Sequence, residues 1–139
     1  MQSPLTNTTT CTVLLIEDEP ADLAFWSSAL RTCASQYSVL EATSDQEGLE
    51  LLEQHKVDCV VLDLDLSATS GFQLLLELVP NRHRPEIAVL ILTHLWNPTL
   101  AQMSLDNGAQ AHLIKDRTSA DALDNAIQNA VSAVASARR

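Results

Sequence analysis

Short apolar runs alternate five times along the chain with segments whose apolar residues recur at every third or fourth position. The runs are Thr12–Ile16, Tyr37–Ala42, Val57–Leu62, Ile87–Leu92 and Ala111–Ile114. Tyr37–Ala42, which holds Ser38 and Glu41, reads as a weaker strand; the more continuous runs predict strands covered on both faces, since a strand with one wet face would alternate apolar and polar residues. Asp58 is the polar exception in the third run. Between and after the runs the spacing becomes helical: Leu23, Trp26, Leu30 and Cys33; Leu49, Leu51 and Leu52; Phe72, Leu75, Leu76 and Val79; Leu123, Ile127, Val131 and Val134. Each set gathers on one helix face.

Boundary residues agree with this division. Pro20 and Pro98 suit first helical turns, and Asn97 suits an N-cap. Ser44 with Glu47, and Thr118 with Asp121, have capping-box spacing. Pro80 ends the third helix, and Asn107–Gly108 stops the fourth. Arg138–Arg139 suits the C-terminal dipole of the last helix. The pattern is (βα)5, an α/β fold with a doubly wound parallel five-stranded sheet. Residues 1–10 read as a polar, flexible tail and residues 11–139 as one domain.

Composition narrows the function classes. At 139 residues with 46% hydrophobic content, one domain can bury a core without a disulfide or metal staple. Eighteen acids against eight Lys and Arg give a net charge of −10. Such a chain repels phosphate backbones and anionic bilayers, which excludes nucleic acid and membrane as expected partners. Cys11, Cys33 and Cys59 are odd in number and lie beside apolar residues, so they read as buried free thiols in a reducing cytoplasm. No secretory leader is visible, and the longest apolar run, Ile87–Leu92, is too short to span a bilayer.

Chemistry in an open α/β sheet collects beyond the carboxyl ends of the strands. Those positions hold Glu17 and Asp18 after the first strand, Asp63 after the third, Thr93 at the fourth and Lys115 after the fifth. If the first and third strands are neighbours, their carboxylates converge, and mutual repulsion calls for a cation. All-oxygen donors favour a hard ion, and Mg²⁺ suits a shallow site that keeps water. A metal, the Thr93 hydroxyl and the Lys115 ammonium would neutralise a phosphoryl group on Asp63. Simpler readings exist for each residue. Glu17–Glu19 could be a solvated helix start, and Lys115 could pair with Asp116 at the surface.

The ordered set VLLIEDEP (Val13–Pro20), VVLDLDLSATSG (Val60–Gly71), LILTH (Leu90–His94) and NGAQAHLIKD (Asn107–Asp116) resembles the response-regulator receiver domain of two-component signalling, of the stand-alone type. The resemblance covers residues 11 to 135 and implies the flavodoxin-like strand order 2-1-3-4-5. It implies Asp63 as phosphoacceptor, and Mg²⁺ on Asp18, Asp63 and the Asp65 carbonyl, with Glu17 acting through water. Thr93 would be the switch hydroxyl, Lys115 the partner of the phosphoryl oxygens, His112 the switch ring, and Gly71 the end of the phosphoacceptor loop. The donor would be a histidine kinase or a histidine phosphotransfer protein. The signal would leave through a downstream protein partner, with a homodimer through the last helices compatible. No turnover beyond self-phosphorylation and self-dephosphorylation is implied.

This chain departs from the family pattern at four places. Ser67 stands for a usual Pro, His94 for a small residue, His112 for Tyr or Phe, and Asp116 for Pro. His94 would crowd the donor's approach. None of the four removes a group the chemistry requires. Two other functions stay open at this level: a phosphorylation-independent pseudo-receiver that only binds partners, and a haloacid-dehalogenase-type phosphatase with Asp63 as nucleophile and Asp65 as acid/base.

Overall fold

The computed structural model describes residues 10–33, 35–65, 71–94 and 96–137. All but Thr10 of the expected tail, the loop position Ser67 and Arg138–Arg139 lie outside the described residues. The elements are β1 (Cys11–Ile16), α1 (Pro20–Arg31), β2 (Tyr37–Ala42), α2 (Asp45–Gln54), β3 (Cys59–Leu62), α3 (Gly71–Leu78), β4 (Ala88–Thr93), α4 (Pro98–Asp106), β5 (Ala111–Ile114), a single 3-10 turn (Lys115–Arg117) and α5 (Ala120–Ala137). The strands are all parallel, in the order β2-β1-β3-β4-β5. Both the predicted fold class and the strand order hold.

The unbroken apolar runs have the expected cause: helices cover both faces of the sheet. Val13, Leu15, Val61, Leu90 and Leu92 point to one side, where Leu23, Trp26 and Leu30 of α1 meet Leu123, Ile127 and Val134 of α5. Leu14, Ile16, Val60, Leu62, Val89 and Ile91 point to the other, against Leu74 and Leu75 of α3, with Leu49 and Leu100 at the margin. Side chains such as Leu14, Leu62 and Ile91 are wholly buried, and each contributes about 2 kcal/mol of transfer free energy. Among the described residues no helix is long and apolar enough to cross a membrane.

Local signals held with small corrections. Asn97 caps α4, its side-chain oxygen accepting from the Leu100 amide at 3.1 Å. Gly108 has a φ of +109°, and a Cβ there would meet Val79 Cγ1 at 2.5 Å, so the α4 stop needs glycine twice over. Ser44 accepts from the Glu47 amide, but Glu47 returns its carboxylate to Thr43 rather than to Ser44. At α5 the cap is Ser119, which accepts from Ala122 at 3.0 Å. Thr118, the expected cap, instead donates its hydroxyl to the Ile114 carbonyl at 2.8 Å, because the 3-10 turn displaces the helix start. The third strand begins at Cys59, two residues late. Asp58 is occupied at the strand mouth, where its carboxylate accepts from the Thr12 amide at 2.8 Å and its own amide donates to the Thr12 carbonyl at 2.9 Å. Of the three free thiols only Cys59 is fully buried; Cys11 and Cys33 are half-buried.

Candidate functional site

The parallel register brings the strand ends to one edge. Ile16 pairs with Leu62, Leu62 with Ile91, and Thr93 with Ile114. The residue following each of β1, β3 and β5 is therefore delivered to the same place. Glu17 continues β1 by donating its amide to the Ala42 carbonyl, and Asp63 continues β3 by donating to Ile16. Both side chains are buried, as are Thr93 and Lys115. Gly71 lets α3 start directly beneath Asp63: its amide bonds the Leu64 carbonyl, and a Cβ there would lie 2.4 Å from the Asp63 carbonyl oxygen.

Lys115 organises the site. Its ammonium donates to Glu17, to Asp63 Oδ2 at 2.9 Å and to Asp22 Oδ2 at 2.9 Å, which matches the three donors an ammonium carries. The other Asp63 oxygen accepts the Asp65 amide at 3.0 Å, and Glu17 accepts the Glu19 amide at 3.0 Å. An open cleft of about 480 Å³ above these groups is lined by Glu17, Asp18, Glu19, Ala21, Asp22, Asp63, Asp65 and His94. His94 bridges the rim, with Nε2 2.9 Å from Asp22 Oδ2 and Nδ1 3.4 Å from Asp116 Oδ1.

Electrostatics divides the carboxylates. Burial pushes the Glu17 carboxyl up to about 7; Lys115 and the Glu19 amide oppose this in part, while the Asp63 charge adds to it. Burial also works against Asp63, but the Asp65 amide and Lys115 outweigh it and hold Asp63 below the ordinary carboxylate range. Burial opposes the charge on Lys115 too, and its three carboxylates overcome that and raise its pKa. Asp22 is lowered, since Lys115 and His94 outweigh its partial burial. The strand edge thus keeps an ionised Asp63 in a pocket with more acids than cations.

Among the described residues no three His, Cys, Asp or Glu side chains are placed to hold a metal by themselves. The donors nevertheless suit Mg²⁺, which takes one or two carboxylates and keeps several waters. Asp63 and the half-buried Asp18 face the cleft, and Asp65 is exposed at its rim. Excess negative charge at a wet, oxygen-lined cleft is the setting in which a hard divalent cation is favourable.

The structure brings Glu17, Asp18, Asp63, Asp65 and Lys115 to one cleft and buries Thr93 at the end of β4 beside it. His112 lies elsewhere, on β5 opposite Ile91, outside the cleft lining. Its buried ring nitrogens find no partner on another residue. The surface pair of Lys115 with Asp116 does not form: Lys115 turns inward, and Asp116 meets His94. Sequence reading missed Asp22. Its signal was an acid at the third position of α1, where helical side chains lean back toward the N-terminus and hence toward the strand edge.

The family model described as the response regulator receiver domain matches residues 13–128. A probable cyclic di-GMP phosphodiesterase of Vibrio cholerae serotype O1 is 33% identical over 105 residues, covering 76% of this chain and 23% of that protein. The transcriptional regulatory protein GlrR of Escherichia coli K12 is 34% identical over 119 residues, covering 86% of this chain and 26% of that protein. The chain thus spans about a quarter of the length of these relatives. The crystal structure of a response regulator receiver domain protein from Clostridium thermocellum superposes with a TM-score of 0.77 at 29% identity, covering 88% of this chain and 95% of that one.

Proposed function

The chain belongs to the response regulator receiver family, a signalling domain, and we propose that Asp63 accepts a phosphoryl group from a phosphohistidine of a kinase or phosphotransfer protein. One observation carries the reading: an ionised Asp63 sits at the end of β3 with the buried Lys115 ammonium on its carboxylate. An Asp63 oxygen attacks phosphorus, and the phosphorus–nitrogen bond breaks. Its electron pair leaves with the donor imidazole, which takes a proton, and an acyl phosphate remains on Asp63. Lys115 neutralises the transferred oxygens, and Thr93 supplies a hydroxyl at the same edge. Asp18, Asp63 and the Asp65 carbonyl would hold Mg²⁺, with Glu17 acting through water, and the ion would supply positive charge to the transferred group.

The output follows from what the new charge attracts. A phosphoryl group on Asp63 draws Thr93 and Lys115 toward it, and both are attached to β4 and β5. The face made by α4, β5 and α5 would then shift in population and meet a protein partner. The acidic surface suits a protein rather than nucleic acid. Dimerisation through the same face and a cytoplasmic setting are compatible with this reading. The match to the receiver family supports this reading over the phosphatase alternative for Asp63 and Asp65. Incubation with acetyl phosphate and Mg²⁺, followed by intact-mass measurement, tests the reading. One phosphoryl adduct is expected, absent without Mg²⁺ and absent in Asp63→Asn. If neither acetyl phosphate nor beryllofluoride is taken up, the chain is a phosphorylation-independent binding module.

A further inference from the structure

Asp22 has no part in the chemistry above, yet it holds one of the three Lys115 hydrogen bonds. It also faces the cleft that an incoming phosphoryl group would enter. Lys115 has no spare donor, because Glu17, Asp63 and Asp22 use all three. We infer that Asp22 is a positioning residue that competes with the phosphoryl group for Lys115, and that His94 sets how strongly it competes. The inference rests on the phosphoacceptor role of Asp63.

Two effects act in the same direction. A phosphoryl group on Asp63 projects into the cleft, and to reach its oxygens the ammonium must loosen from an acceptor it already has. Asp22 is also an anion lining the cleft, so it repels the added negative charge directly. His94 moderates both effects. Its Nε2 lies on the same Asp22 oxygen, Oδ2, that Lys115 uses. Its Nδ1 lies 3.4 Å from an Asp116 oxygen in the turn after β5. With His94 in place Asp22 divides its charge between two donors, and without it Lys115 receives the whole.

Beryllofluoride, a phosphoryl mimic, provides the test. Its affinity at saturating Mg²⁺ is read by fluorine NMR for wild type, Asp22→Asn, Asp22→Ala, His94→Ala and the Asp22→Asn/His94→Ala double variant. Both Asp22 variants are expected to bind about fivefold more tightly, the scale of one partly screened ion pair. His94→Ala alone is expected to bind about twofold more weakly, and to have no effect once Asp22 is Asn. The Lys115 ammonium nitrogen signal, recorded with neither metal nor mimic, should move in Asp22→Asn. Equal or weaker binding by both Asp22 variants overturns the inference, as does an unmoved ammonium signal. A His94→Ala effect that survives in the double variant, or tighter binding by His94→Ala alone, makes His94 a steric gate and overturns its assigned role. Wild-type protein that takes up no beryllofluoride overturns the phosphoacceptor reading itself, and this inference with it.

Discussion

The two ends of β3 each carry an aspartate, and they are handled in opposite ways. At the amino end the Asp58 carboxylate meets the Thr12 amide, and the Asp58 amide meets the Thr12 carbonyl. That pairing is closed: a neutral backbone amide meets the acid, and the pair of bonds ties β3 to β1. At the carboxyl end Asp63 shares one ammonium with Glu17 and Asp22, beside Asp18 and Asp65. That arrangement is open, with too many acids for the cation present. A residue type settled by the backbone serves the fold. The same type left with surplus charge is poised to bind a cation and accept an electrophile.

The sharpest way to break this contrast is to neutralise each aspartate in turn. Asp63→Asn should abolish phosphoryl uptake from acetyl phosphate, while Asp58→Asn should leave it intact, both read by intact mass. The second test removes the shared cation. Lys115→Met leaves buried carboxylates without a counter-charge, which should cost about 3 kcal/mol in urea unfolding. Added Mg²⁺ should restore part of that loss, and no recovery would mean the carboxylates do not draw a cation.

A third test uses His112, whose ring nitrogens are buried without a partner on another residue. His112→Phe should stabilise the fold by about 1 kcal/mol at neutral pH, since it removes unsatisfied buried polar atoms. Burial holds the His112 pKa below its ordinary 6.5. As pH falls through 6.5 the unfolded chain takes the proton first, so the histidine's contribution is full above that pH and is lost below it. The Phe variant should therefore lose less stability than wild type between pH 7.5 and 5.5, measured by thermal unfolding. Unchanged pH dependence would show that the ring is solvated in the folded state. An effect of similar size and opposite sign is expected at the closed end. Asp58→Asn should cost about 1 kcal/mol, and Mg²⁺ should stabilise it as much as it stabilises wild type.

Much of the site was legible because it depends on position along the chain. Glu17, Asp63 and Lys115 each follow an apolar run, and parallel strands place their carboxyl ends together whatever the details of packing. The caps Asn97 and Ser44 were legible because a cap is a contact across three residues. Thr118 misled because the three-residue turn before α5 has no period to announce it. His112 was expected to take part in switching. The structure places it on β5 opposite Ile91, on the strand that leads into Lys115.

By itself the sequence determined the five strands, the five helices and the residues standing at each strand end, but on α3 it pointed to Leu76, which is exposed, and passed over Leu74, which is buried. These follow from periodicity and from short-range hydrogen bonding. Tertiary structure alone decided which charges meet. Lys115 could have paired with its neighbour Asp116. It bonds instead to residues 52, 93 and 98 positions away, and Asp116 goes to His94. The physical reason is that strand order and register set distances between strand ends, and a buried ammonium satisfies its three donors with the carboxylates that those distances bring within reach.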